Sequence, residues 1–126
     1  MANGDVVTNN GRLLLMQRLF SANQTAVSQF AVGTGTTTPT NADTAMQTAV
    51  LSNIALTSGY PVFDAANNKA TIRGFLSTTQ ANSNSLTEFG LNNTDGTNVL
   101  FDHHVHNAIT KNNTTEVAYV VTITVS

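Results

Sequence analysis

The chain is expected to adopt an α+β fold that is mainly β: an antiparallel sheet or sandwich with one amino-terminal amphipathic helix packed on it. Three observations carry this reading. Glu116 to Val125 alternates, placing Val117, Tyr119, Val121, Ile123 and Val125 on one face of a strand. Clusters of Asn, Asp, Gly and Thr at 64–68, 92–96 and 111–114 punctuate the strand-like runs. Apolar residues recur at good helical spacing in one segment only, Gly11 to Ala22.

Taken in order, Met1 to Asn10 is polar and reads as an amino-terminal arm, residues 1–10, ahead of a single β-rich domain over 11–126. In the helix, Leu13, Leu14, Met16, Leu19 and Phe20 form the apolar stripe, Arg12 and Arg18 lie off it, and Asn9 or Asn10 is the expected cap. That stripe must be buried, in the core or at a subunit contact. Gln29 to Val32 is a short strand, closed by Gly33 and Gly35 through backbone angles that residues with a Cβ avoid. Thr34 to Thr40 makes an ordered polar loop around Pro39, and Asn41 or Asp43 is expected to cap a short helix from Thr44. Ala45 to Leu56 is apolar without either period, and Tyr60 to Phe63 is a short strand with Pro61 at an edge.

A meander is expected to follow. Its strands are Ala70 to Leu76, Leu86 to Leu91, Val99 to Ile109 and Glu116 to Val125, with a polar loop over Thr78 to Ser85. The hairpin before Val99 is signalled by Asp95-Gly96, and the last turn by Lys111 to Thr114.

Composition narrows the function classes. A chain of 126 residues is long enough for one self-sufficient core, and it has no cysteine, which removes disulfide frameworks, zinc ribbons and thiol nucleophiles. Net charge is −2 with 10% charged residues, and the basic side chains Arg12, Arg18, Lys69, Arg73 and Lys111 are scattered, so no nucleic-acid partner is expected. No apolar run approaches the ~20 residues of a membrane helix, and Met1 to Asn10 lacks the features of a signal peptide. The expectation is a protein made in the cytoplasm, with no membrane partner. So uncharged a surface suits a subunit packed against copies of itself or a larger assembly.

Two segments carry a resemblance. Phe30-Ala31-Val32-Gly33-Thr34-Gly35-Thr36-Thr37-Thr38-Pro39-Thr40-Asn41-Ala42-Asp43-Thr44-Ala45, and then Glu88-Phe89-Gly90-Leu91-Asn92-Asn93-Thr94-Asp95-Gly96-Thr97, resemble in order and spacing segments of small structural proteins of tailed bacteriophages, especially the attachment domains of tail and collar fibres. Val99-Leu100-Phe101 and the closing strand fall where that family has its last two strands, and Gly11 to Phe20 where it has its helix. The chain departs from the pattern at Met46 to Leu51, which lacks the usual aromatic-Arg ending, and no shaft is expected after Ser126, which makes any fibre role that of an adaptor. The resemblance implies a non-enzymatic virion structural protein, made in the host cytoplasm. The leading expectation is a capsid decoration or cement protein, a homo-oligomer (trimer) on the major capsid protein. The alternative is a tail or baseplate component anchoring fibres, and a third is a glycan-binding module, for which only Tyr60 and Tyr119 offer polar aromatics.

Chemical candidates are few. A phosphate loop at Gly33 and Gly35 lacks the following Gly-Lys-Ser/Thr. In His103-His104-Val105-His106, a strand would put His104 and His106 on one face, where they could share a metal with Asp102 while His103 faces away; two imidazoles alone leave the shell incomplete. Asp64, Glu88, Asp95, Asp102 and Glu116 read as solvated or turn-satisfying carboxylates, and no Gly-x-Ser-x-Gly elbow exists. No catalytic residue and no cofactor are expected.

Overall fold

The computed structural model describes residues 4–20, 24–94 and 98–125. The chain is mainly β: the described residues form eight strands in two antiparallel sheets and one short helix. In order they are β1 (Gly4–Val7), α1 (Asn9–Leu19), β2 (Val27–Gly33), β3 (Ala49–Ala55), β4 (Val62–Asp64), β5 (Lys69–Leu76), β6 (Asn84–Asn93), β7 (Asp102–Lys111) and β8 (Val117–Thr124). One sheet has the order β1-β7-β6-β2-β3 and the other β4-β5-β8.

The period-two segments are strands because each has an apolar face to bury. On β5, Ile72, Gly74 and Leu76 are buried while their neighbours are less so. They meet Phe30 and Val32 of β2 and Leu86, Phe89 and Leu91 of β6, which are all but inaccessible. A Cβ on Gly74 would fall 2.9 Å from the Phe30 ring, and the Phe89 ring stacks on Tyr119 of β8 at 4.4 Å. Each fully buried side chain of this size contributes about 1.5–3 kcal/mol through the water it no longer contacts. β6 is buried from Leu86 to Asn93 because it is covered on both faces, which is why it carries no alternation.

The meander expectation is corrected. β6 and β7 do pair, but β8 crosses to the other sheet and pairs with β5 from Lys69↔Thr124 to Leu76↔Val117. Alternation in β8 specifies which face is buried, not which edge it joins; its apolar face is as expected, with Val117 buried and Tyr119, Val121 and Ile123 half-buried. The Asp95-Gly96 turn lies outside the described residues. β7 starts at Asp102, and Leu100 makes only an isolated bridge to Asn92.

The amino-terminal region also differs. Of the expected arm, Gly4–Val7 is an edge strand registered on β7, with Val6 opposite His103; Met1 to Asn3 lie outside the described residues. The helix begins at Asn9, and its cap is Thr8, whose hydroxyl oxygen accepts from the Gly11 amide at 2.9 Å and donates to the Leu100 carbonyl. Arg18 near the helix end donates to the Gln24 carbonyl at 2.7 Å. Only Gly11 and Leu14 of α1 are buried. Four leucines and a methionine in seven positions cannot share one face, so Leu13, Leu15, Met16 and Leu19 stay more than half exposed, as does Phe20. No helix follows Asp43: that side chain turns back to accept from the amide and hydroxyl of Thr40. Asp64 likewise closes the β4–β5 turn by accepting from Ala66 and Asn67.

Gly11 tests how far helix propensity yields to packing. Alanine is the better helix former by ~1 kcal/mol. A Cβ at this position, however, would lie 2.2 Å from the Phe101 carbonyl oxygen, which is backbone and cannot step aside. Gly11→Ala is therefore expected to destabilise the fold by about 1–3 kcal/mol, read as a lower urea midpoint.

Candidate functional site

Beneath the long segment between β2 and β3 lies a carboxylate that the sequence reading placed at the surface. Glu88, in the middle of β6, has no solvent exposure. Its Oε2 accepts from the Gly35 amide at 2.6 Å and the Thr48 amide at 2.8 Å. Its Oε1 accepts from the Gln47 amide at 2.9 Å and faces His103 Nε2 at 2.9 Å. The other ring nitrogen of His103, Nδ1, lies 2.7 Å from Asp43 Oδ2. Thr87 adds a hydrogen bond to the Gly35 carbonyl at 2.7 Å, and the Gln47 side chain accepts from the Thr37 amide. One buried carboxylate thus ties both ends of the 34–48 segment to β6, and His103 ties its middle.

The glycines are needed here for approach, which corrects the reading of Gly33 and Gly35 as residues with special backbone angles. Neither has a positive φ. A Cβ on Gly33 would fall 2.2 Å from the Thr48 carbonyl oxygen, and one on Gly35 2.2 Å from Glu88 Oε2. The missing side chains let the backbone close on the carboxylate.

Burial pushes the Glu88 carboxyl up, but the amide of Thr48, the His103 ring and the amides of Gln47 and Gly35 outweigh it, and the net shift is downward. Asp43 is likewise lowered: burial raises it, and His103 and Thr40 more than compensate. Each His103 nitrogen has a carboxylate as its partner, so neither is placed to activate a hydroxyl. The chemistry this arrangement supplies is fixation of a loop.

His104 and His106 lie on the opposite face of β7 from His103, as alternation requires. They are brought near one another but not to a common point. His104 Nδ1 is 2.8 Å from Asp5 on β1 and Nε2 is 2.7 Å from Asp102. His106 Nδ1 is 2.8 Å from the Asn107 carbonyl and Nε2 is 3.0 Å from the Tyr119 hydroxyl. All four ring nitrogens are engaged within the chain, and among the described residues no group of three or more His, Cys, Asp or Glu is arranged to hold a metal. Burial lowers His104, but Asp102 and Asp5 overcome it and its pKa is raised; burial alone pushes the Tyr119 phenol up to about 12.

Several concavities open on the surface, and two of them are the larger. An open trough of about 940 Å³ runs between β8 and the β7–β1 pair, with His104, His106, Tyr119 and Val121 in its walls. An apolar cleft of about 470 Å³ is lined by Leu15, Phe63, Ile123 and Val125. Asp5 and the Glu88 cluster were not legible as sites. A single Glu within the apolar run Leu86 to Leu91 is the signal that could have exposed Glu88, because an isolated carboxylate in a strand buried on both faces must find donors. No protein-family model matches the chain, and no curated protein or solved structure matches it.

Among the shifted groups, Glu88 and His104 set opposite limits on stability. Held below its ordinary 4.5, Glu88 contributes fully above that pH, and the contribution is lost as pH falls through the lower folded value. Raised above 6.5, His104 contributes fully below 6.5 and loses its contribution as pH rises through the higher folded value. Unfolding free energy is expected to be greatest between these pH values. Glu88→Gln should flatten the acid side of the profile and cost about 2 kcal/mol or more, since an amide cannot accept from all four donors. A Gln variant with an unchanged acid limb would show that another group governs it.

Proposed function

We propose that this chain is a non-enzymatic structural subunit of a tailed-phage virion: a β-sandwich, with α1 packed against it through Leu14, that decorates or cements the capsid as a small homo-oligomer on the major capsid protein. The observation that carries the assembly part is the outward apolar surface of α1. Leu13, Leu15, Met16, Leu19 and Phe20 are all exposed, at 51–71% of their full area, in a chain whose charged residues amount to 10%. Large apolar side chains clustered on one short element mark a surface that a partner covers. Phe63 and Val62 of β4 are exposed as well, at 76% and 52%.

The virion part rests on the resemblance of the 30–45 and 88–97 segments to phage attachment domains. Its physical support is that the two segments meet: Glu88 of the second holds Gly35 of the first. A loop fastened at several points by one buried carboxylate keeps its shape under load, which suits a particle component more than a mobile lid.

Copy number and location in the intact particle test this reading. Decoration expects on the order of hundreds of copies, in symmetric groups spread over the head. A handful at the tail would overturn decoration in favour of an anchor for fibres. For the apolar surface, the double variant Leu19→Glu, Phe20→Glu is expected to keep its melting temperature within a few degrees while its sedimentation shifts toward monomer. Unchanged sedimentation would remove α1 from the contact.

A further inference from the structure

The two sheets differ in width, and the difference leaves a place for one more strand. This inference rests on the sheets facing each other as the leaves of a sandwich. β8 lies over β6 and β7, since Tyr119 stacks on Phe89 and hydrogen-bonds His106. The sheet β4-β5-β8 stops there, whereas the facing sheet continues through β7 to β1. The trough of about 940 Å³ lies along that step, with β8 as its wall and β7 and β1 as its floor.

The wall is an open ladder. Val125 donates its amide to Asn68 at 3.0 Å, so the odd-numbered residues of β8 point their backbone groups at β5, and alternation turns those of Ala118, Val120 and Thr122 toward the trough. Free edges in natural sheets are guarded by charges, prolines, bulges or brevity. β4 is three residues long and follows Pro61, β1 is four residues and carries Asp5, and β3 is broken by register shifts against β2. β8 has none of these: eight residues, no charge, no proline, and an unbroken register with β5.

The floor says what kind of strand fits. His104 is held between Asp5 and Asp102, so the cluster is net negative whether the ring carries one proton or two. Two copies docked floor to floor would bury two such clusters against each other, which is costly for charges without counter-ions. A single extended segment leaves Asp5 at the open rim and can bring a cation to it.

We propose that this trough binds an extended segment of another polypeptide, which adds to β8 as a fourth strand, sets small apolar side chains between Tyr119 and Val121, and places a lysine or arginine near Asp5. Main-chain hydrogen bonds hold the segment and the alternate side chains select it.

Amide exchange in the whole protein tests this. The probe is an alternating Thr-Val peptide of about ten residues with lysine at both ends, compared with the same peptide ended by glutamate. The lysine peptide is expected to slow exchange at Ala118, Val120 and Thr122 about tenfold, with the glutamate peptide much less effective and the β4 amides unchanged. Asp5→Asn should erase the difference between the two peptides. Val120→Pro removes one donor facing the trough and should abolish the response; if that variant does not fold, exchange in the parent protein decides. No slowing at the three amides, equal slowing by both peptides, or slowing that grows with protein concentration alone would overturn the proposal, the last by showing that a second copy fills the place.

Discussion

The ordering of the long 34–48 segment depends on one ionised carboxylate with no exposure to water. Glu88 is tolerated there because each of its oxygens has two partners, three of them backbone amides that would otherwise be unpaired beneath the 34–48 segment. The dependence is mutual. Without the carboxylate the amides of Gly35, Gln47 and Thr48 lose their acceptor, and without the segment the carboxylate loses its solvation. His103 extends the arrangement to Asp43, which in turn closes the Thr40 turn. A polar loop of Thr and Ala with little apolar surface of its own is ordered by this shared acceptor.

The inner face follows a different logic. Phe30, Phe89, Leu76 and Leu86 make an apolar core of ordinary composition, and polarity returns only where the smaller sheet ends. There His104 and His106 occupy positions that a further strand would have covered, and each is satisfied by a neighbour: Asp5 and Asp102 for one, Tyr119 for the other. Among the described residues, every buried side-chain polar atom has a partner. Large apolar side chains are exposed on α1 and β4, and also at Val120, beside the trough, and Val125. The molecule thus presents an apolar surface on α1 and a trough of mixed polarity beside the edge strand β8.

Much of the fold was legible. The apolar face of β8, the Asp64 turn and the strand at Ala70 to Leu76 each depend on residues within a few positions of one another, and period and turn chemistry report on that range. α1 was legible as a helix but its buried face was not, because apolar residues cover more than one side of it and the close approach of the Phe101 backbone to Gly11 is a contact across 90 residues. Glu88 falls within a motif, yet its role was invisible: three of its four partners lie 40 to 53 residues away and are backbone amides, which have no signature in side-chain composition.

By itself the sequence determined that this chain is mainly β, free of cysteine, poor in charge and supplied with few groups capable of chemistry. Those are properties of composition and of local period. Tertiary structure decided that β8 leaves the meander for the second sheet, that Gly33 and Gly35 serve close approach, and which partners the histidines find on the two faces that alternation assigns them. The physical reason is common to all three. Which edge a strand joins, which backbone a glycine meets and which carboxylate an imidazole finds are set by contacts across tens of residues, and alternation along a strand constrains only the face, never the neighbour.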